Sequence, residues 1–262
     1  MKIKIFVLLV LIQTVAIIPI SFAQKRATTR ISRPLELRGS KEQRVAQNTK
    51  ANELNLARIV TRTELEALAS RGVLVELIDS DFYYIDPKPE RICTLDARGR
   101  YGAKSAKRRI FVYPEVKQYL DQRAREYFVE FHSKFKITSG ARSLEEQLSM
   151  ITRGSPCFNG YAAEAENPLE ESLHIRAIAV DVSRKVIPIS SKGAKQKERQ
   201  MTSREIAWMR ARLIEDMKLK GIEAEEEIPE TMRGLEVASI EENICYHIVV
   251  FPKTTETQIT PP

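Results

Sequence analysis

The helix and strand signals along the chain predict an α+β protein with one main domain, and three observations carry this expectation. Apolar residues recur at helical spacing in two long segments, each opened by a helix-start signal. Short stretches elsewhere alternate apolar and polar side chains with the period of two that a half-buried strand requires. The 262 residues are 43% hydrophobic and 29% charged, enough apolar material for a sizeable core and too much for wholesale disorder.

Residues 1–23 begin with Lys2 and Lys4, run apolar over 5–18 and end in Ser21-Phe22-Ala23. This is the pattern of a cleaved secretory signal, with small residues where a signal peptidase reads the chain. Gln13, Thr14 and Pro19 interrupt the run, which is short for a spanning helix of ~20 apolar residues. No later stretch is apolar enough to span, so the expectation is a secreted or periplasmic bacterial protein with no stable membrane insertion after cleavage.

Residues 24–52, rich in Lys, Arg, Gln, Thr and Ser, read as a flexible leader whose composition does not offset the entropy of ordering it. Residues 53–113 read as an N-terminal extension. Leu54, Leu56 and Ile59, then Leu65, Leu68 and Gly72, suggest short helices there. Residues 73–78 and 82–85, flanking Asp79-Ser80-Asp81, predict a hairpin. Residues 87–109 read as an irregular, basic loop.

The main domain is expected over 114–252. Pro114 suits a first helical position, and Val116, Leu120, Ala124, Phe128 and Phe131 follow at helical spacing, leaving His132 outside the stripe. Residues 135–138 read as a strand, and Ser143 with Glu146 forms a capping box that opens the next helix, so Arg142 lies at a strand-to-helix junction. Residues 154–171 read as loop. In 177–183, Ile178, Val180 and Val182 point to the core while Ala177, Ala179, Asp181 and Ser183 share the other face. Thr202 and Glu205 make a second capping box before Ile206, Met209, Leu213 and Met217, with Gly221 as the stop. The last strand, 244–251, places Ile244, Tyr246, Ile248 and Val250 on one face and Cys245, His247 and Val249 on the other. Residues 253–262 form a tail. A fragment from Tyr113 onward should keep its metal if this half folds alone.

Composition narrows the chemistry. Forty-two Lys plus Arg against 35 Asp plus Glu give +7, and losing Lys2 and Lys4 with the signal takes +7 to +5. This mild excess falls short of a nucleic-acid signature, and the basic loops lack interleaved aromatics for stacking bases, so no nucleic-acid partner is expected. Three Cys and three His cannot build a four-Cys zinc site or a multi-disulfide framework, yet they permit a mixed His and carboxylate site. Cys93, Cys157 and Cys245 permit one disulfide and one free thiol, with three pairings open.

His174 precedes the strand bearing Asp181, and His247 lies in the terminal strand. Two His and one carboxylate would make an open zinc site, whose fourth position holds a water with its pKa lowered to ~7. His174 and Asp181 are seven positions apart and would face opposite ways in a regular strand, so convergence requires His174 to enter from a loop or bend. Small Ala177 and Ala179 on the Asp181 face leave room for metal and substrate. Taken alone, the two histidines read more readily as unrelated polar residues.

The segment Ser172-Leu173-His174-Ile175-Arg176-Ala177-Ile178-Ala179-Val180-Asp181 resembles the Ser-x-His-x-x-Gly-x-Ala-x-Asp motif of the D-alanyl-D-alanine carboxypeptidases and dipeptidases, nearest to their secreted bacterial members. Upstream, Ser139-Gly140-Ala141-Arg142-Ser143, followed by Gln147, is similar to that family's Ser-Gly-x-Arg-Ser segment. Cys245-Tyr246-His247 is similar to the terminal strand bearing its last ligand. The resemblance covers residues 114–251. It implies a compact α+β fold of the hedgehog and D-Ala-D-Ala peptidase kind, with one zinc ion held by His174, Asp181 and His247. It further implies that Arg142 binds the scissile carbonyl oxygen and that the partners are peptidoglycan stem peptides, cut at a D-Ala bond or a related cross-link.

Two departures stand beside it. The motif glycine is Ala177, a mild change at negative φ and a disruptive one if positive φ is needed. The family's general-base Glu stands three residues before its last His, where this chain has Ile244. Glu242 and the run Glu225 to Glu227 are the substitutes within reach of the sequence, and each also fits an ordinary solvated surface. Cys245 reads as structural or disulfide-bonded. The leading expectation is an exported zinc metallopeptidase using Arg142 and Glu242. The alternative is a non-catalytic zinc-binding envelope protein of the same fold, and a third reading is an anion-binding protein using the basic residues 192–197.

Overall fold

The computed structural model describes residues 37, 39, 41–159, 172–190, 196–218, 235–242 and 244–252. Helix α1 (Lys41–Glu53) is followed by α2 (Arg62–Ser70), where Thr61 caps the Glu64 amide. Five short strands come next: β1 (Val75–Leu77), β2 (Tyr83–Ile85), β3 (Glu90–Leu95), β4 (Tyr101–Ala106) and β5 (Ile110–Val112). Helix α3 (Pro114–Phe131) begins at the expected proline and ends at His132, exposed and left-handed at φ 49°. Strand β6 (Ser133–Ser139) leads into α4 (Leu144–Ile151), whose capping box between Ser143 and Glu146 is formed in both directions. A short helical turn, Leu173–Arg176, precedes β7 (Ala179–Pro188) and β8 (Arg199–Gln200). Helix α5 (Ser203–Lys218) opens with Thr202 and Glu205 bonded reciprocally. Strands β9 (Glu236–Glu241) and β10 (Cys245–Phe251) complete the fold.

The fold is thus mixed α+β around a six-stranded sheet of order β2-β6-β7-β10-β9, with β8 paired to β7. Strands β6, β7, β10 and β9 run antiparallel to their neighbours, whereas β2 joins β6 in parallel. One face is covered by α3 and α5. Tyr119, Leu120 and Tyr127 of α3 and Met209 and Leu213 of α5 bury against Phe135, Ile137, Val180, Val182, Tyr246 and Ile248. Charged residues inside this layer are paired: Asp216 accepts from the Tyr119 hydroxyl at 2.6 Å and from Arg123 Nε at 2.9 Å. On the opposite face, Ala179, Val249 and Phe251 pack with Ala51, Leu56, Leu173 and Ile178. Among the described residues, no helix is long and apolar enough to cross a membrane.

The structure departs from the sequence reading mainly before residue 114. The second half of the expected flexible leader is α1, mostly polar yet anchored by distant partners. Its Ala51 is fully buried, and Lys50 lies 2.9 Å from Glu236. The hairpin expected over 73–85 is absent, because β1 pairs with β5 and β2 joins the main sheet. A hairpin occurs instead within the expected basic loop, where β3 pairs with β4. Its turn is closed by Asp96, which accepts the amides of Arg98 and Arg100, and by Gly99 at φ +73°.

A disulfide joins Cys93 on this hairpin to Cys157 after α4, closing a sequence separation of 64, which in the chain-entropy account contributes about 4 kcal/mol. Cys245 is free and buried. The described residues belong to one compact unit. Ile178, expected on the core face with Val180, packs on the opposite side. It precedes the regular part of β7, so the alternation does not yet hold there. Strand β9 carries no prior expectation.

Candidate metal centre

Three neighbouring strands define the floor of the site. The β7–β10 register sets His247 opposite Asp181, and the β6–β7 register sets Ser139 opposite the same aspartate. These side chains occupy the sheet face away from α3 and α5. His174 arrives from the helical turn just before β7, which is the bend that the seven-residue spacing demanded. Ala177 ends that turn at φ 57° and ψ 14°, with its N–H on the His174 carbonyl. The motif position therefore does need left-handed backbone, and an alanine holds it here while fully buried.

His174, Asp181 and His247 each offer one ligand atom, and these atoms all lie within 4.8 Å of one another. His174 Nε2 is 3.3 Å from Asp181 Oδ2, and His247 Nδ1 is 2.9 Å from Asp181 Oδ1. The rings meet edge to face with centroids 4.9 Å apart. His174 Nδ1 lies 2.8 Å from the Gly140 carbonyl oxygen. A carbonyl oxygen only accepts, so Nδ1 carries a proton, which leaves Nε2 as the atom that the neutral ring would offer to a metal. Binding the second ring nitrogen to a backbone carbonyl is how metal-ligating histidines are commonly oriented.

Electrostatics reinforce this arrangement. Burial pushes the His174 imidazole below its ordinary pKa and the nearby Arg142 pushes it further, against the opposing pull of Asp181. Burial alone would raise Asp181, but His174 and His247 outweigh it and hold the carboxyl well below the usual carboxylate range. His174 Nε2 and Asp181 Oδ2 face each other at 3.3 Å, two donor atoms that a cation between them would hold together. The group can hold a metal ion.

Arg142 stands at the rim with its guanidinium 3.8 Å from Asp181 Oδ2. It donates to Ser139 Oγ and to Gln147 Oε1, and its backbone N–H donates to the His174 carbonyl at 3.0 Å. The α4 capping box fixes the next residue, Ser143, so this junction is held on both sides.

The structure brings Arg142 beside the three ligands and places Glu242 further along. Glu242 faces Cys245 across the β9–β10 turn, its N–H on the Cys245 carbonyl at 2.9 Å and its carboxylate accepting from the Cys245 thiol at 3.4 Å. Cys245 and His247 share a face of β10, so Glu242, opposite Cys245, lies on the metal side of the sheet, two register positions from His247. Its other oxygen is 3.5 Å from Arg44 of α1. Burial, then Asp181 and Glu242, push the Cys245 thiol far above its ordinary pKa. Ile244, three residues before His247, is 74% exposed. Glu225 to Glu227, and residues 192–195 of the basic run, lie outside the described residues.

Two contributors carried no role in the sequence reading. Thr138 Oγ1 donates to the Asp181 carbonyl at 3.2 Å, and Gly140 supplies the acceptor that fixes His174. The signal for Gly140 is its own residue type: a Cβ there would fall 2.4 Å from Ile110 Cγ2 and 2.9 Å from the Phe111 carbonyl oxygen. Glycine serves here for close approach of two chain segments.

No protein-family model matches the chain, and neither does any curated protein or solved structure.

Proposed function

We propose that the protein is an exported, zinc-dependent peptidase that cleaves peptidoglycan stem peptides or their cross-links at a D-Ala bond, on a fold of the hedgehog and D-Ala-D-Ala peptidase kind. One observation carries the reading: three donor atoms, from a helical turn and two strands, converge, with His174 committed through Nδ1 to Gly140 so that Nε2 points inward. Two imidazoles and one carboxylate fit a zinc site with an open position. Bound zinc would supply Lewis acidity and lower the pKa of water in the site. The secretory pattern of residues 1–23 agrees with a cell-wall substrate.

The remaining chemistry falls to the protein's own side chains. Arg142 would bind the scissile carbonyl oxygen as negative charge develops on it, and removing such a donor typically costs ~100-fold or more in rate. Glu242 would take the proton of the attacking water, acting from the metal side of the sheet. For that its carboxylate must turn from Cys245 and Arg44, a modest movement for a half-exposed side chain.

The test supplies zinc to the purified chain, measures bound metal, and follows release of D-Ala or shortened peptide from purified stem peptides and cross-linked dimers by mass spectrometry. One zinc per chain, peptide release, and loss of both in His247→Ala are expected. A protein that retains no zinc would overturn the proposal. One zinc without release would favour the non-catalytic reading, which the exposed Ile244 and the engaged Glu242 support.

A further inference from the structure

Arg176 is buried, with 5% exposure, two residues beyond His174 at the end of the ligand-bearing turn. Its guanidinium donates to the Leu56 carbonyl and to Asn52 Oδ1, both neutral acceptors, one near the end of α1 and one just after it. A charge buried against neutral partners costs more than an apolar side chain of similar size. Stability alone therefore does not account for an arginine at this position.

The backbone of the same turn is held from two further sides. The Ile59 N–H donates to the Ile175 carbonyl at 2.8 Å, and the Tyr113 N–H donates to the Ala177 carbonyl at 3.2 Å. Ile59 also accepts from the Leu144 N–H at 2.7 Å, at the first residue of α4 and two residues past Arg142. One short stretch of the extension thus bridges the His174 turn and the Arg142 junction, and Arg176 locks the end of α1 onto that bridge.

We infer that Arg176, acting through Asn52 and Leu56, is a positioning residue that makes the N-terminal extension a structural part of the metal centre. The inference rests on the metal reading above. It assigns to the extension the task of fixing where His174 Nε2 points relative to Asp181, so loosening the Arg176 contacts should widen the ligand geometry without touching a ligand.

Cobalt(II) absorption of the purified full chain provides the test, because its visible bands report ligand geometry as well as affinity. Arg176→Met should bind cobalt on the order of tenfold more weakly or worse, the scale seen when outer partners of metal ligands are removed, and its bands should shift. Asn52→Ala should move both readouts in the same direction by less, and Asn52→Asp, which keeps an oxygen acceptor, should restore them. Thermal unfolding of each variant separates this from general loss of fold. If Arg176→Met does not fold, the exposed Asn52 pair decides: Ala and Asp variants both matching the parent protein would overturn the inference. Cobalt binding by the parent with unchanged affinity and bands in Arg176→Met sinks the positioning role alone. A parent chain that takes up no cobalt sinks the metal reading and this inference with it.

Discussion

Replacing Gly140 by alanine tests the centre at its most constrained point. The added methyl would lie 2.4 Å from Ile110 Cγ2, 2.9 Å from the Phe111 carbonyl oxygen and 3.4 Å from Val112 Cγ1. Ile110 is β-branched and buried in β5, with little rotamer freedom to give way. The Phe111 oxygen is fixed because it accepts the Ala141 N–H at 2.8 Å. The clash is therefore relieved by moving backbone, and overpacking of this kind costs about 1–3 kcal/mol.

The segment most able to move is Gly140 itself, whose carbonyl holds His174 Nδ1. Disturbing that contact should lower zinc affinity by roughly 10–100-fold. Urea unfolding of the metal-free protein measures the first effect, and zinc competition against a chelating dye measures the second. Gly102→Ala on β4, where nothing lies within 4 Å of the added methyl, serves as the matched control. Parent-like stability and zinc affinity in Gly140→Ala would refute the close-approach argument.

Two other substitutions follow from the same physics. At Ala177, relief of left-handed backbone by glycine gains about 1–2 kcal/mol. Loss of a buried methyl and a freer unfolded chain remove about 0.8 and 0.4–1 kcal/mol. Ala177→Gly should thus stay within about 1 kcal/mol of the parent in urea, while Ala177→Val, combining branching at positive φ with overpacking, should lose about 3 kcal/mol or more. A tolerated valine would contradict the assigned backbone. For Glu205, burial alone would raise the carboxyl, but Arg199, the Thr202 amide and the Tyr127 hydroxyl outweigh it and hold it down to about 2, against an ordinary 4.5. A depressed carboxylate stabilises fully above its unfolded pKa, and that contribution, about 3 kcal/mol, is lost as pH falls from about 4.5 toward 2. Glu205→Gln should flatten the stability–pH curve across that window, and an unchanged acid dependence would remove Glu205 from the account.

The legible parts of this chain share one property: their signals are local. Pro114, the Ser143–Glu146 and Thr202–Glu205 boxes, and the alternation of β10 each lie within a few residues of the element they specify. The convergence of His174 and His247 on Asp181 became readable only through a motif, because spacing alone left them unrelated. What escaped depends on distant partners. Helix α1 looks too polar to order itself until Arg176, Glu236 and Glu242 are counted. Strand β9 hides its alternation because buried Glu241 occupies an inward position, neutralised by Arg184 and Arg210 from β7 and α5. The β3–β4 hairpin is mostly exposed, so no apolar period marks it, and its tie to Cys157 is one of three pairings that sequence cannot rank. The parallel partnership of β2 with β6 has no sequence signature at all.

The long reach of α1 also has a kinetic consequence. Its distant contacts are made with residues 176, 236 and 242, so this helix meets those partners only after about two thirds of the 262-residue chain has been made. Strand β2 likewise waits for β6, and the ligand set waits for the last strand, since loop closure over such separations precedes any gain from the contacts it permits. A polypeptide with this order of dependencies completes its fold only late in its synthesis.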